Sequence, residues 1–267
     1  MTRLQRLSSA VLILSAILAR PALATLAADR ADKREIIRQA RAAYYSLRQK
    51  GLESFQVNIT VNWNVVLKGQ TTNPEQMRML NSLHFAEAFD ANGKTSVTHR
   101  ADVPAPNATV QKGYDQIFQG IDQVISGFTD TYSPFMVTSP FPAIDSDYVL
   151  EDFDNGYRLT YKEGTSQIIT MMTKTLVITE TIVHATDFDS SIRPSFLTTA
   201  DGYVLAGYDG DYKPTKTTTG VVKLSGTLEH RMVEGLRLPS RLYFDSSVDG
   251  APNSTELTFT DYTIKKR

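Results

Sequence analysis

Cysteine is absent from the 267 residues of this chain. That excludes disulfides, Cys-ligated zinc, iron–sulfur clusters, a thiol nucleophile and an acylated N-terminal cysteine. A strong charge of either sign is missing as well, because 28 Lys and Arg stand against 29 Asp and Glu for a formal net charge of -1. Broad electrostatic binding to nucleic acid needs an excess of cations, so no nucleic-acid partner is expected. Beyond the N-terminal segment no apolar run is long enough to span a bilayer as a helix. The Gly-x-Ser-x-Gly elbow of nucleophilic hydrolases, the glycine-rich phosphate loops and the His-Glu-x-x-His metal helix do not occur. No catalytic residue, metal ligand or cofactor is therefore assigned on motif grounds.

What is present is enough apolar material for a sizeable core, at 41% of the residues, in a length that suits one large domain. The chain opens on a tripartite pattern: basic Arg3 and Arg6, an apolar run from Leu7 to Ala19, then Pro21 and Ala22-Leu23-Ala24. Such a run is too short for a spanning helix and fits a secretory signal peptide, cleaved after Ala24 or Ala27. An uncleaved amphipathic anchor is the alternative. Residues 1–27 are thus expected to be removed, leaving 28–267 as a single α+β domain in the periplasm or outside the cell. Loss of Arg3, Arg6 and Arg20 without any acid takes the net charge from -1 to -4. An exported chain without disulfides must draw its stability from its core.

The periodicities describe a sheet with a few helices. Asp32 followed by Glu35 looks like a capping box, and Ile36, Ile37, Ala40, Ala43, Tyr44 and Leu47 continue at helical spacing toward Gly51. Phe55, Val57, Ile59, Val61, Trp63, Val65 and Leu67 then alternate with polar residues, which predicts one long strand covering a core on one face. Asn73-Pro74 starts a short helix, and a hairpin is expected from Leu83 to His99, turning at Asp90-Ala91-Asn92-Gly93. Val110, Tyr114, Ile117, Phe118, Ile121, Val124, Ile125 and Phe128 mark a second long amphipathic helix. From Tyr148 onward, strands separated by Asp-Gly, Asn-Gly and Glu-Gly turns indicate an antiparallel meander. Within it, strands are expected over Phe196–Thr199 and Tyr203–Tyr208, with Asp187-Phe188-Asp189 and Asp209-Gly210-Asp211 as turns.

Chemistry-bearing residues are sparse. His84, His99, His184 and His230 fall on predicted strands without ligand spacing between them. The acids at 187, 189, 209 and 211, with Ser190, offer oxygens of the kind calcium takes, but neither cluster has the full set of a calcium loop. Acids in turns also serve local hydrogen bonds. One alternative reading is an acid/base or metal-dependent hydrolase built from His184, Asp187, Asp189 and His230, which requires these to converge. Another is a structural or interaction module of a cell-envelope complex, which requires a filled core and a broad exposed apolar patch.

The amphipathic helix running into Tyr44-Tyr45-Ser46-Leu47, the alternating strand from Phe55, the Val233-Glu234-Gly235-Leu236-Arg237-Leu238-Pro239 link and the closing Glu256-Leu257-Thr258-Phe259-Thr260-Asp261-Tyr262 form an ordered set. In that order, after a signal peptide, they resemble the LolA/LolB-like superfamily of periplasmic lipoprotein carriers and outer-membrane lipoprotein-sorting proteins. The resemblance implies a curved, incompletely closed antiparallel β-barrel, a half-barrel whose concave face is covered by helices, around an apolar cavity for lipid or acyl chains. No residue here matches the arginine that tethers the helical cover in the carrier, so none of the family's functional residues is carried over. The expected function is transport or binding of a hydrophobic ligand, a lipid or lipidated protein, with a lipoprotein or envelope protein as possible partner and no enzymatic step. Apolar lining is expected from Val61, Trp63 and Val65 of the long strand, Phe118 and Ile121 of the second long helix, and Leu242 and Phe244 of a late strand.

Overall fold

The computed structural model describes residues 32–267, so the expected signal segment and its cleavage sites lie outside the described residues. Helix α1 covers residues 32–43 and buries Ile37 and Ala40 completely. It already includes Asp32, so the predicted capping start is not where the sequence pattern put it. It also stops short of Leu47. Tyr44 instead forms a parallel bridge with Tyr203, while its hydroxyl donates to the Leu176 carbonyl at 3.0 Å and accepts from the Ile178 N–H at 2.7 Å. Two tertiary bonds at the Tyr44 hydroxyl and one at the Tyr45 N–H outweigh a few tenths of a kcal/mol of helix propensity.

Strand β1 runs over Leu52–Val61 with Phe55, Val57, Ile59 and Val61 buried in strict alternation. The predicted long strand ends there: Trp63–Val66 is a single helical turn, α2, and Leu67 donates its N–H to the Trp63 carbonyl. The reason is visible in the residues. Val65-Val66 breaks the alternation, and Trp63, Val66 and Leu67 also satisfy the i, i+3, i+4 spacing of a helix. Helix α3, Pro74–Asn81, has the capping box its sequence predicts, with Asn73 Oδ1 accepting from the Gln76 N–H and Gln76 Oε1 accepting from the Asn73 N–H. The hairpin of β2 (Leu83–Phe89) and β3 (Thr95–Ala101) follows. Helix α4 extends over Ala108–Tyr132 and passes directly into a π-helical segment, Ser133–Val137. Pro134 has no N–H to continue the i→i−4 ladder, and a wider turn accommodates it.

Nine further strands complete the chain: β4 Tyr148–Phe153, β5 Gly156–Glu163, β6 Ser166–Thr173, β7 Ile178–His184, β8 Phe188–Thr199, β9 Gly202–Pro214, β10 Val222–Val233, β11 Leu236–Val248 and β12 Ala251–Lys266. Two of these correct the sequence reading. Phe188, Asp189 and Ser190 lie in β8, with Asp187 in the bend before it, and Asp209-Gly210-Asp211 lies wholly inside β9. Asp211 answers Arg193 on the neighbouring strand at 2.7 Å. Cross-strand ion pairing makes acids compatible with a strand face that turn statistics alone assign to loops.

All twelve strands belong to one antiparallel sheet in the order β3-β2-β1-β12-β11-β10-β9-β8-β7-β6-β5-β4. The sheet is open, not a closed barrel, with β3 and β4 at its edges. The meander from β4 to β12 uses tight links; Glu234-Gly235 and Asp249-Gly250 join their strands through two residues with positive φ, the combination that matches strand twist in a hairpin. The α+β class is therefore as expected from the sequence, and no helix among the described residues is long and apolar enough to cross a membrane.

Gly226 on β10 serves a close approach. It faces Phe244 on β11, and a Cβ at this position would meet ring atoms Cδ1 and Cε1 of Phe244. Gly226→Ala is expected to displace that ring and cost about 1–3 kcal/mol in urea denaturation, with Phe244→Leu in the same chain recovering part of the loss. An unchanged unfolding midpoint for the single variant would contradict this packing.

Candidate functional site

Burial concentrates on one side of β1, β2, β10, β11 and β12, and α4 lies against that side. Its buried residues, Tyr114, Phe118, Ile121, Ile125, Phe128 and Tyr132, recur every three or four positions and form one stripe. The stripe meets the sheet through aromatic rings. Phe118 meets Phe85 edge-on at 5.7 Å and stacks on His99 at 4.0 Å; Phe128 meets Phe259 at 5.7 Å and Phe244 at 6.5 Å. Such ring pairs add about 0.5–1.5 kcal/mol each beyond their area. Hydrogen bonds are fewer in kind: Thr129 Oγ1 donates to Glu87 on β2, Thr131 Oγ1 and the Tyr212 hydroxyl on β9 are 3.2 Å apart, and His99 Nδ1 on β3 lies 2.9 Å from Asp122 Oδ2.

Six of the seven residues expected to line an apolar hollow belong to the core at this seam, although not all by the predicted route. Val61, Leu257, Leu242 and Leu228 form one row across β1, β12, β11 and β10. In the neighbouring row Thr255, Phe244, Gly226 and Tyr208 stand opposite one another in turn. Val61, Trp63, Phe118, Ile121, Leu242 and Phe244 are buried members of the same core, and Val65 is half-buried. Trp63 and Val65 sit on α2 rather than on a strand, the correction noted above.

The four residues of the hydrolase alternative do not converge. His184 Nδ1 pairs with Asp189 at 2.8 Å on an exposed part of β7 and β8, and Asp187 pairs with Lys216. His230 lies elsewhere. Asp189 faces Lys213 on β9, Tyr212 faces Val222 on β10, and His230 is eight residues further along β10, a separation of about 25 Å at strand rise. Among the described residues no group of three or more His, Asp or Glu is placed to hold a metal ion.

A shallow depression of about 430 Å³ opens where α4 meets edge strand β3, lined by His99, Asp115, Phe118, Gln119, Asp122, Gln123 and Ser126. It holds Ser, His and Asp, the residue types of a nucleophilic triad. Among the described residues the His99 ring hydrogen-bonds Asp122, and no bond joins it to Ser126. The arrangement therefore supplies an acid–imidazole pair without an activated nucleophile.

The sequence reading passed over a second feature, a set of polar groups inside the seam near the C-terminal end of α4. Glu87 is only 3% exposed, and burial pushes its carboxyl up to about 7, against the lowering effect of the Thr129 hydrogen bond. Tyr132, the last residue of α4, is 2% exposed, burial holds its phenol well above the usual range, and its hydroxyl has no hydrogen-bond partner among the described residues. The Tyr132 ring stacks on His230 at 6.3 Å. Burial, with Arg237 nearby, lowers His230 to about 4, so its imidazole is neutral at pH 7, and both ring nitrogens lack partners. Arg237 Nε is likewise buried and unpartnered, while its backbone N–H donates to the Tyr45 hydroxyl at 2.8 Å. Tyr262 closes the group by donating to the Pro239 carbonyl at 2.9 Å.

One signal for this cluster was in the sequence. Leu83, Phe85, Glu87 and Phe89 share one face of β2, so the acid occupies an inward position of the alternation. A carboxyl on an apolar face needs a partner or a proton. His230 similarly continues the inward series of Gly226 and Leu228. Comparison of the chain with protein families, with curated proteins and with solved structures finds no match.

Proposed function

We propose that this chain is an exported, non-enzymatic protein that binds or carries a hydrophobic ligand, a lipid or a lipidated protein, between its sheet and helix α4. The observation that carries the reading is the helix itself: an amphipathic α4 laid by its aromatic stripe along the apolar face of an open sheet, where a guest chain can replace the helix contacts like for like. In this reading the sheet curves around the helix as an incompletely closed barrel, in the manner of the LolA/LolB-like proteins, and Val61, Trp63, Val65, Phe118, Ile121, Leu242 and Phe244 exchange contacts with one another for contacts with the guest. The magnitude is adequate. Burial stabilises by about 0.8 kcal/mol per methylene, so a long acyl chain contributes on the order of 10 kcal/mol toward separating side chains worth about 2 kcal/mol each.

The test is organic extraction of the purified full-length chain after secretion, followed by mass spectrometry, together with incubation of delipidated protein with a total lipid extract. The expected result is a lipid or acyl species retained in near-stoichiometric amount by the folded protein and lost on unfolding in urea. Protein that yields no such species by either route would reject the proposal.

A further inference from the structure

We propose that Tyr132, His230 and Arg237 form a head-group site for the anionic end, carboxylate or phosphate, of a long-chain amphiphile whose chain lies under α4. The inference rests on the hydrophobic-ligand reading and specifies which ligand it takes. It is carried by the polar atoms that the fold brings together and leaves unpaired. The Tyr132 hydroxyl, both His230 ring nitrogens and Arg237 Nε are buried without a hydrogen-bond partner among the described residues. Each such atom costs about 1–3 kcal/mol when desolvated and unsatisfied. Several in one neighbourhood are consequently a feature that needs an occupant.

Their chemistry selects the occupant. A phenol hydroxyl and a guanidinium N–H are donors, and a neutral imidazole presents one N–H as well. Acceptors are what they lack, and a charged acceptor engages such donors about twice as strongly as a neutral one. Arg237 makes no ion pair among the described residues, in contrast to Arg158, Arg193 and Arg241, each of which holds a carboxylate. Position supports the same assignment. Across β10 and β11, His230 faces Pro239 and Met232 faces Arg237, so His230 and Arg237 project from the same face of the sheet two positions apart. Tyr132 stacks on His230 from α4, and the Tyr45 hydroxyl bonds the Arg237 backbone N–H. Phe128, one turn before Tyr132, lies on Phe244 and Phe259, which places apolar surface immediately beside the donors. The neighbouring Glu87 does not oppose an anion below about pH 7, because burial keeps its carboxyl protonated there.

Binding of dodecanoate, monododecyl phosphate and dodecanol, each below its aggregation concentration, to the delipidated full-length protein by isothermal titration calorimetry at pH 6 tests the inference. The expected result is at least about tenfold tighter binding of one or both anions than of the alcohol, the preference disappearing in Tyr132→Phe and in Arg237→Met. Tyr132→Phe removes an unpaired buried hydroxyl and keeps the ring, so the variant is expected to fold with wild-type stability or better, which thermal unfolding checks. Preference for carboxylate over phosphate, or the reverse, separates a fatty acid from a phosphorylated lipid. Equal binding of acid, phosphate and alcohol would overturn the head-group site and leave the carrier reading standing. Anion preference that survives in both variants would place the head group elsewhere and likewise overturn it. Failure of all three to bind would remove the carrier reading and this inference with it.

Discussion

Phe128→Ala is expected to lower the unfolding free energy by about 3–5 kcal/mol, the range for truncating a large buried aromatic side chain. Phe128 is 3% exposed and touches three other rings: Tyr132 at 5.2 Å on its own helix, Phe259 at 5.7 Å on β12 and Phe244 at 6.5 Å on β11. Truncation leaves a hole bounded by rigid rings and by two strands fixed in register, which cannot collapse inward without distorting the sheet. Phe118→Ala should cost less. Phe118 borders the surface depression beside His99, so water can enter part of the space it vacates. The check is urea unfolding followed by far-ultraviolet circular dichroism, comparing midpoints and slopes. Equal losses for the two variants, or a loss under about 1 kcal/mol at Phe128, would mean that α4 is not anchored through this ring.

Removing Glu87 or His230 should expose two pH dependences that oppose each other in the wild type. Glu87 is raised from 4.5 to about 7 in the folded chain. Between those values the folded state holds a proton that the unfolded state has released, so stability from this group is complete below pH 4.5 and is lost as pH rises toward 7. His230 is lowered from 6.5 to about 4. Here the unfolded state binds the proton first, so stability is complete above pH 6.5 and is lost as pH falls toward 4. One pKa unit corresponds to about 1.4 kcal/mol, which gives each group a swing of about 3 kcal/mol. The slopes are of opposite sign and overlap from pH 4.5 to 6.5, where they cancel. The surroundings of each group are fixed by the fold: Glu87 meets Thr129 with Asp130 and Tyr132 beyond on α4 and Tyr262 on β12, while His230 meets Tyr132 and Arg237.

Glu87→Gln retains the hydrogen-bonding shape and removes the titration. Its unfolding free energy is expected to rise with pH from 4 to 6.5, where that of the wild type is nearly flat, as His230 acts alone. His230→Phe is expected to show the mirror image, a fall from pH 4.5 to 7 as Glu87 acts alone. Urea midpoints collected across pH 4 to 8 on the three proteins read both effects. Parallel profiles for wild type and Glu87→Gln would show that the carboxyl is not held protonated by burial.

The sequence disclosed those parts of the fold in which one local rule had no rival. Asn73, Pro74 and Gln76 specified α3 because cap, first-turn proline and returning amide agree, and each is a local bond. The Glu234-Gly235 turn specified the β10–β11 hairpin for the same reason. Trp63 to Leu67 misled because their apolar positions satisfy two periods at once, and the turn that forms is closed by the Asn62 carbonyl, which accepts from the Val65 and Val66 N–H groups. Phe188 and Asp209 to Asp211 misled because charge and glycine signal a turn unless a partner strand supplies counter-charges, and Arg193 is such a supplier. At the site, Val61, Leu242 and Phe244 were legible from strand alternation and Phe118 and Ile121 from helical spacing, while for Trp63 and Val65 alternation points to the wrong element. Tyr132 and Arg237 were not legible, since the meaning of each depends on what is missing around it after α4 has docked on β10 and β11, and no spacing along the chain encodes a missing partner.

The sheet order also carries a schedule. Strands β5 through β12 each pair with the strand just before them, so the portion from β4 to β12 can assemble as successive hairpins soon after synthesis. Strands β1 to β3 join the rest only through the pairing of β1 with β12, as in Phe55 opposite Ile264 and Val61 opposite Leu257. Contacts of such long sequence separation form slowly, because the whole intervening chain must be ordered around them. The first three strands, made earliest, thus wait for the sixteen residues of the last strand. Until those emerge, one edge of β1 and the apolar row behind it stay open to any other extended segment, and the nascent chain depends on prompt completion, or on protection from outside, to avoid mispairing.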